Sequence, residues 1–382
     1  MRPSLLVSCY LLGVSLCAPW LCGQFSFFVS PLAAQNLDKP LINIDDDINA
    51  FAYSPDGRIV YSVHRNFKTK QYDLEHDDIW LQEANGKRRR LLEGQKFIRG
   101  TQPFSYIVDS FRWSPNGHMI LAQLFTTTVV DDSGKTEDSF QTLLLEDSGK
   151  EIRIAKGESV ILDAANANWL PDNATIVYLS EAVKPRQLFS MKFTRSSTGS
   201  FPSFYEGRTF RDVSWILGMT YAIALEQDHS VSGTPRLQRL DLLSDDDKEL
   251  VTLDSYEGGL SVSPSGKKVA YFIDKEILEI RDLTSLSHVA RVRIGLGVFH
   301  WSPDDSRILL KRSIEKKSGD LVWIDLPPLA DASGRDVPIA QPPAIPILHG
   351  LTFRDFAISP DGHFLAVIAP GKRNLMVFPL PR

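Results

Sequence analysis

Tyr53-Ser54-Pro55-Asp56-Gly57, followed by Ile59-Val60-Tyr61-Ser62-Val63, is the stretch on which the fold turns. Pro presets φ near −65° at the first corner of a turn, Asp or Asn tolerates the second, and Gly or Asn takes a left-handed third. The pentapeptide is therefore a hairpin bend, and the β-branched and aromatic run behind it is a strand. The same pattern returns as Trp113-Ser114-Pro115-Asn116-Gly117, Trp169-Leu170-Pro171-Asp172-Asn173, Val262-Ser263-Pro264-Ser265-Gly266, Trp301-Ser302-Pro303-Asp304-Asp305 and Ile358-Ser359-Pro360-Asp361-Gly362. Each copy runs into its own apolar strand, so each opens a unit of two antiparallel strands.

The gap from Pro171 to Pro264 is about twice a blade-sized repeat of roughly 40–60 residues. A degenerate copy fits inside it at Val213 to Leu225, with Trp215 in register and Gly218 at the bend. The tetrapeptide Thr209-Phe210-Arg211-Asp212 ahead of it recurs as Thr352-Phe353-Arg354-Asp355 ahead of the last copy, and the register agrees. Seven units, each long enough for four strands, predict an all-β chain: a seven-bladed β-propeller of four-stranded antiparallel blades. An outer hairpin is legible where Asp78 to Ala84 meets Asn85-Gly86 and returns as Arg88 to Leu92. The last unit is one strand short after Asn374 to Phe378, and Pro40 to Ile44 is the natural donor of that strand, closing the ring and removing an exposed edge.

The S-P-D-G bends and the outer hairpin Ile79-Trp80-Leu81-Gln82-Glu83-Ala84-Asn85-Gly86-Lys87-Arg88-Arg89-Arg90-Leu91 resemble the TolB-like, or PD-type, β-propeller repeats of bacterial envelope proteins, relatives of the WD-type repeats. The resemblance spans nearly everything after residue 40. It implies a propeller working in the bacterial envelope and leaves its ligand open.

Residues 1–34 carry one charge, Arg2, then apolar stretches and the small-residue exit Leu32-Ala33-Ala34, which reads as a secretory signal peptide. Residues 35–382 then form a single propeller domain, periplasmic or extracellular, touching a membrane only if the signal segment is kept as an anchor. All three cysteines, Cys9, Cys17 and Cys22, fall in that segment, so the remainder offers no disulfide, thiolate metal site or cysteine nucleophile. The net charge of −5 argues against nucleic acid as a partner. The basic run Lys87 to Arg90 reads as a solvated strand edge.

No nucleophile elbow occurs, Gly259-Leu260-Ser261-Val262-Ser263 being the nearest string and lacking its second Gly. His118 and His363 follow bend residues and read as exposed. His300, ahead of Trp301, reads as making a hydrogen bond between blades. His64 and His76 flank an insertion with no carboxylate set of metal spacing, and Asp45-Asp46-Asp47 and Asp245-Asp246-Asp247 lack the alternation of a calcium loop. Asp109, Arg211, Asp212, Arg354 and Asp355 stand at the entry to innermost strands, where they form ion pairs between blades or a charged ring at the channel mouth. No cofactor is called for. The reading is a non-catalytic propeller that binds or scaffolds a protein or cell-envelope component through one face. The alternative is a metal-dependent hydrolase or lyase acting on a carbohydrate or lactone at the channel mouth. Long connections Asn66 to Asp77 and Thr126 to Asp138, with the crossing Glu93 to Asp109, direct attention to Lys70, Tyr72, His76, Phe104 and Tyr106 as the recognition surface, rimmed by Asp132 and Glu137.

Overall fold

A computed structural model describes residues 37, 39–68, 73–97, 104–130, 134–152, 160–162, 164–180, 187–192, 203–205, 208–226, 234–244, 246–315, 318–332, 337–348, 355–369 and 373–380. The predicted signal segment, and Lys70, Tyr72, Asp132 and Arg354, lie outside them.

Seven antiparallel sheets form the ring of a β-propeller. Their innermost strands are Ile48–Tyr53, Phe104–Trp113, Ala164–Trp169, Phe210–Trp215, Gly258–Val262, Val298–Trp301 and Phe356–Ile358, and number blades 1 to 7. Every bend after them closes by an amide-to-carbonyl bond three residues back, from Gly57 to Ser54 at 3.0 Å through Gly362 to Ser359 at 2.9 Å. The left-handed position is Gly57, Gly117, Asn173, Gly266, Asp305 or Gly362. Blade 4 differs, because Met219 N bonds Ile216 O at 3.1 Å and the positive φ, 79°, falls one residue earlier at Gly218. That is a type II turn with Leu217 in the place of the proline.

The ring closes as the sequence requires. Ile42–Ile44 pairs with the C-terminal strand, Ile42 opposite Val377 and Ile44 opposite Leu375. The proline-rich stretch after Pro327 does more than cross to the outer strand of blade 6. Its short strands Ala330–Asp331 and Ile339–Ala340 lie on the outer edge of blade 5 against His288–Arg293 before the chain supplies the outer strand of blade 6 at Ala344–Leu348. An edge that would template aggregation is thereby covered.

There is no central core. Seven apolar clusters sit one at each seam, from Val60, Ile79, Phe111 and Leu143 between blades 1 and 2 round to Ile48, Tyr61, Ala366 and Leu375 between blades 7 and 1. Alternation along each strand sends one set of side chains into the seam on either side. Truncating a buried Leu or Ile there would cost about 2–5 kcal/mol.

Blades 1 and 2 stand out. Ile59–Lys68 and Asp73–Gln82 are ten residues each, and Met119–Val129 and Thr136–Glu146 eleven each, against nine for the second strand of blade 6 and five or six for those of blades 3, 4, 5 and 7. The two stretches that sequence assigns to loops are therefore continued ladders, pairing Lys68 with Asp73 and Val129 with Thr136. The crossing before blade 2 is likewise half strand, since Phe104 already pairs with Thr128.

Candidate functional site

Two places on the ring hold polar groups in an unusual arrangement. The first lies where blades 7, 1 and 2 meet. Asp77, fully buried, accepts from Asn49 Nδ2 at 2.9 and 3.0 Å and from Val108 N at 2.8 Å, and meets His64 Nδ1 at 3.2 Å. Arg373 reaches across from blade 7 to Asn49 Oδ1 at 2.6 Å and pairs with Asp47 at 2.8 Å. The bond to Asp77 outweighs burial and raises the His64 pKa above its ordinary value. These groups spend their capacity on one another, as buried polar groups must, so the cluster is a tie between three blades rather than an open site.

That tie corrects the expected recognition surface. Tyr106 is 1% exposed and donates its hydroxyl to Asp77 O at 2.7 Å, and burial raises its pKa. His76 is 5% exposed, and burial lowers its pKa and keeps it neutral. Neither faces solvent, because the extended hairpin of blade 1 and the first residues of blade 2 cover each other. Phe104 is half-buried against the Tyr106 ring, and Glu137 is exposed. His64, at the start of the same extension, is bound to Asp77.

The second place is the channel. Five of the seven inner strands pass it with polar residues immediately before the bend motif, Arg112, Asn168, Ser214, Ser261 and His300, and Ala52 and Ala357 complete the circle. Two adjoining cavities of about 480 and 470 Å³ open among these residues at the bend-side mouth, walled by Tyr53, Trp113, Trp215 and Trp301 and rimmed by Leu217. The set is visible in the sequence when the six motif copies and the degenerate seventh are aligned on their opening residue and the position before it is read, a column in which His300 matches Arg112.

Blade seams fix most of the wall. Trp113 Nε1 donates to Ala52 O at 3.3 Å, Trp301 Nε1 to Ser261 Oγ at 3.2 Å, Asn166 Nδ2 to Val213 O at 3.2 Å, and Ser214 Oγ accepts Val262 N at 3.0 Å. Trp215 Nε1 makes no such bond to a described residue. His300 packs edge-on against Phe356 with centroids 4.8 Å apart, a ring contact across the seam in place of the expected hydrogen bond. Its desolvated setting lowers its pKa and holds it neutral.

Arg112 differs from the other wall residues. Water in the channel reaches it, yet protein crowds it enough that desolvation lowers its pKa, against the opposing charges of Asp355 from blade 7 and Asp109 from its own blade. Its only bond to a described residue runs from Nη1 to Phe111 O at 3.1 Å.

Toward the opposite mouth, the strand-entry residues divide. Asp212 accepts the Tyr256 hydroxyl at 2.5 Å, and Arg211 lies over the same ring at 5.0 Å, so both serve the seam of blades 4 and 5. Asp109 is exposed and occupies the bulge between Val108 and Ser110. Asp355 caps the start of its strand through Phe356 N at 2.8 Å. Among the described residues no group of three His, Cys, Asp or Glu is arranged to hold a metal ion.

No family model and no curated protein matches the sequence. Among solved structures, the β-propeller domain of Cps50 (Swd1) from Myceliophteria thermophila is similar at 10% identity, over 90% of this chain and 99% of that one, with a TM-score of 0.52. That likeness is one of fold alone: the chain is a seven-bladed propeller of the WD-like architecture.

Proposed function

We propose that this chain is a non-catalytic propeller that binds or scaffolds a protein partner through one face of its ring. The observation that carries the reading is the pair of extended hairpins on neighbouring blades. Beyond the residues that tie the seam, these ladders continue past the length that blades 3, 4, 5 and 7 need, and elements longer than their connection needs are more often functional than incidental. The recognition sector on that face comprises Lys70, Tyr72, Phe104, Asp132 and Glu137. The channel-mouth residues Asp109 and Asp355 lie toward the same face, and His76 and Tyr106 support it from within. Rigid blades presenting variable projections suit binding, and a metal-dependent hydrolase is the less favoured reading, since no ligand set occurs among the described residues.

The apolar segment before residue 35 and the TolB-like character of the repeats favour export, with a partner in the periplasm or outside the cell. The test replaces 66–75 and 127–137 each by an Asn-Gly turn, which leaves the ring intact. The trimmed protein is expected to melt within a few degrees of the parent and to lose the partner that the parent retains in affinity purification from its own cells. Retention by the trimmed protein would overturn the sector. A mature N-terminus near Gln35 in the exported fraction is expected from Edman sequencing.

A further inference from the structure

The bend-side mouth of the channel lies at the opposite end of the strands from the extended hairpins, and it is built differently. Blade 4 breaks the repeat there. Where other copies set Ser or Leu, then Pro, then Asp, Asn or Ser, blade 4 sets Ile216, Leu217 and Gly218. Ile216 is buried, but Leu217 is 50% exposed and borders both cavities. Trp215 beneath it lacks the bond to the preceding blade that Trp113 and Trp301 make. A site where a repeat departs from its own rule without a structural gain is where function is to be sought.

Below this apolar rim stands Arg112. A guanidinium carries five N–H donors in a planar fork that matches a carboxylate. Here it spends one on a backbone carbonyl and forms no ion pair with a described residue. A cation held among protein atoms without a direct counter-ion is stabilised by any anion that can reach it. Asp355 and Asp109 lie further along the inner strands toward the other mouth, so an anion entering from the bend side meets Arg112 before them. His300 beside it is neutral and leaves the mouth's charge to Arg112.

Strands from all seven blades encircle the two cavities, so a chain can enter end-on but a loop would have to pass two strands. We propose that the bend-side mouth binds the C-terminal end of a partner polypeptide, its terminal carboxylate paired with Arg112 and its last apolar side chain against Trp215 and Leu217. This deepens the protein-binding reading but rests on different residues from the hairpin sector. Loss of capture on trimming the hairpins leaves it untouched, and its own failure leaves that sector standing.

The experiment is fluorescence anisotropy with N-terminally labelled Gly-Ser-Gly-Ser-Leu as the free acid, the same peptide as the C-terminal amide, and an amidated peptide with an internal Glu. The free acid is expected to bind wild-type protein at least about tenfold more tightly than either amide, the scale of one charge-assisted pair. Arg112→Gln, with its melting temperature checked, is expected to bring the free acid down to the level of the amide and to leave the amide unchanged. Leu217→Pro is expected to weaken the Leu-ended acid but not one ended in Gly. Equal binding of acid and amide, equal binding of the internal-Glu peptide, an unchanged Arg112→Gln, or no binding of any peptide at millimolar concentration would each overturn the proposal. The comparison of acid with amide uses only the wild-type protein, so it stands even if Arg112→Gln fails to fold.

Discussion

The seam joining blades 7, 1 and 2 and the bend of blade 4 both depart from the regular repeat, in opposite directions. At the seam the departure is inward: polar residues are buried, and Asp77 and Asn49 bond each other and reach across the blade boundaries to Val108 and Arg373. At blade 4 it is outward: an apolar residue is pushed into solvent and an indole N–H goes without the bond that Trp113 and Trp301 make. Buried and mutually satisfied polar groups hold a structure to one arrangement. An exposed apolar group beside a crowded, underused arginine offers contact to something else. Extra residues in a repeat protein thus carry different meanings according to whether their polar atoms are already spent.

The sharpest way to break this contrast is at Asp77. Asp77→Ala leaves Asn49 and Val108 N without their acceptor and His64 without its partner in a site closed to water. Removing one member of a buried pair costs about 3–5 kcal/mol, and chemical denaturation should report a loss of that size with little change in slope. A loss below about 1 kcal/mol would mean that the seam holds through its apolar cluster alone.

What the sequence hid at this seam is instructive. The bends, the seven-unit count and the donor strand Ile42–Ile44 were legible because Pro, Gly and alternating apolar residues have local causes. Blade 4 was legible from Trp215 and Gly218 for the same reason. The continued ladders of blades 1 and 2 were not, since Arg65-Asn66 and Thr126-Thr127-Thr128 have no apolar alternation and read as loop. The burial of His76 and Tyr106 was hidden because the cover comes from the neighbouring blade, a contact between residues about 30 apart. The channel wall was half-visible: its column of residues is periodic in the repeat, but whether Arg112 is paired depends on side-chain geometry across the ring.

A second, smaller effect follows from His64. Its folded pKa lies above the ordinary 6.5 because the bond to Asp77 favours the charged ring. A group shifted this way contributes stability in full below its unfolded pKa and loses it as pH rises through the folded value. The stability difference between wild type and His64→Gln should therefore be largest near about pH 5.5 and shrink through neutrality toward pH 8.5. His76, held neutral by burial, opposes folding in acid; its burial is present in both proteins and cancels, and only the repulsion between His64 and His76, a lesser cause than burial, remains in the difference. A gap that is flat across this range would show that His64 bonds Asp77 only as the neutral ring.

The smallest effect belongs to the other side of the comparison. Leu217→Pro gives blade 4 the residue that the six motif copies share at this corner, and Leu217 occupies the first central position of a type II turn, which proline favours. Its amide makes no turn or loop bond to a described residue, so the missing N–H removes nothing that holds the bend. The fixed φ restricts the unfolded chain, which stabilises by about 0.4–1 kcal/mol when the native backbone already suits it. Against this stands the loss of a half-exposed leucine that buries little in the free protein. A thermal melt should therefore give a transition equal to wild type or slightly above it. If Leu217→Pro instead destabilised the ring by about 2 kcal/mol or more, on the scale of core truncations, the exposed leucine would be a structural member like Asp77, and the contrast between a side that is tied and a side that is offered would fall.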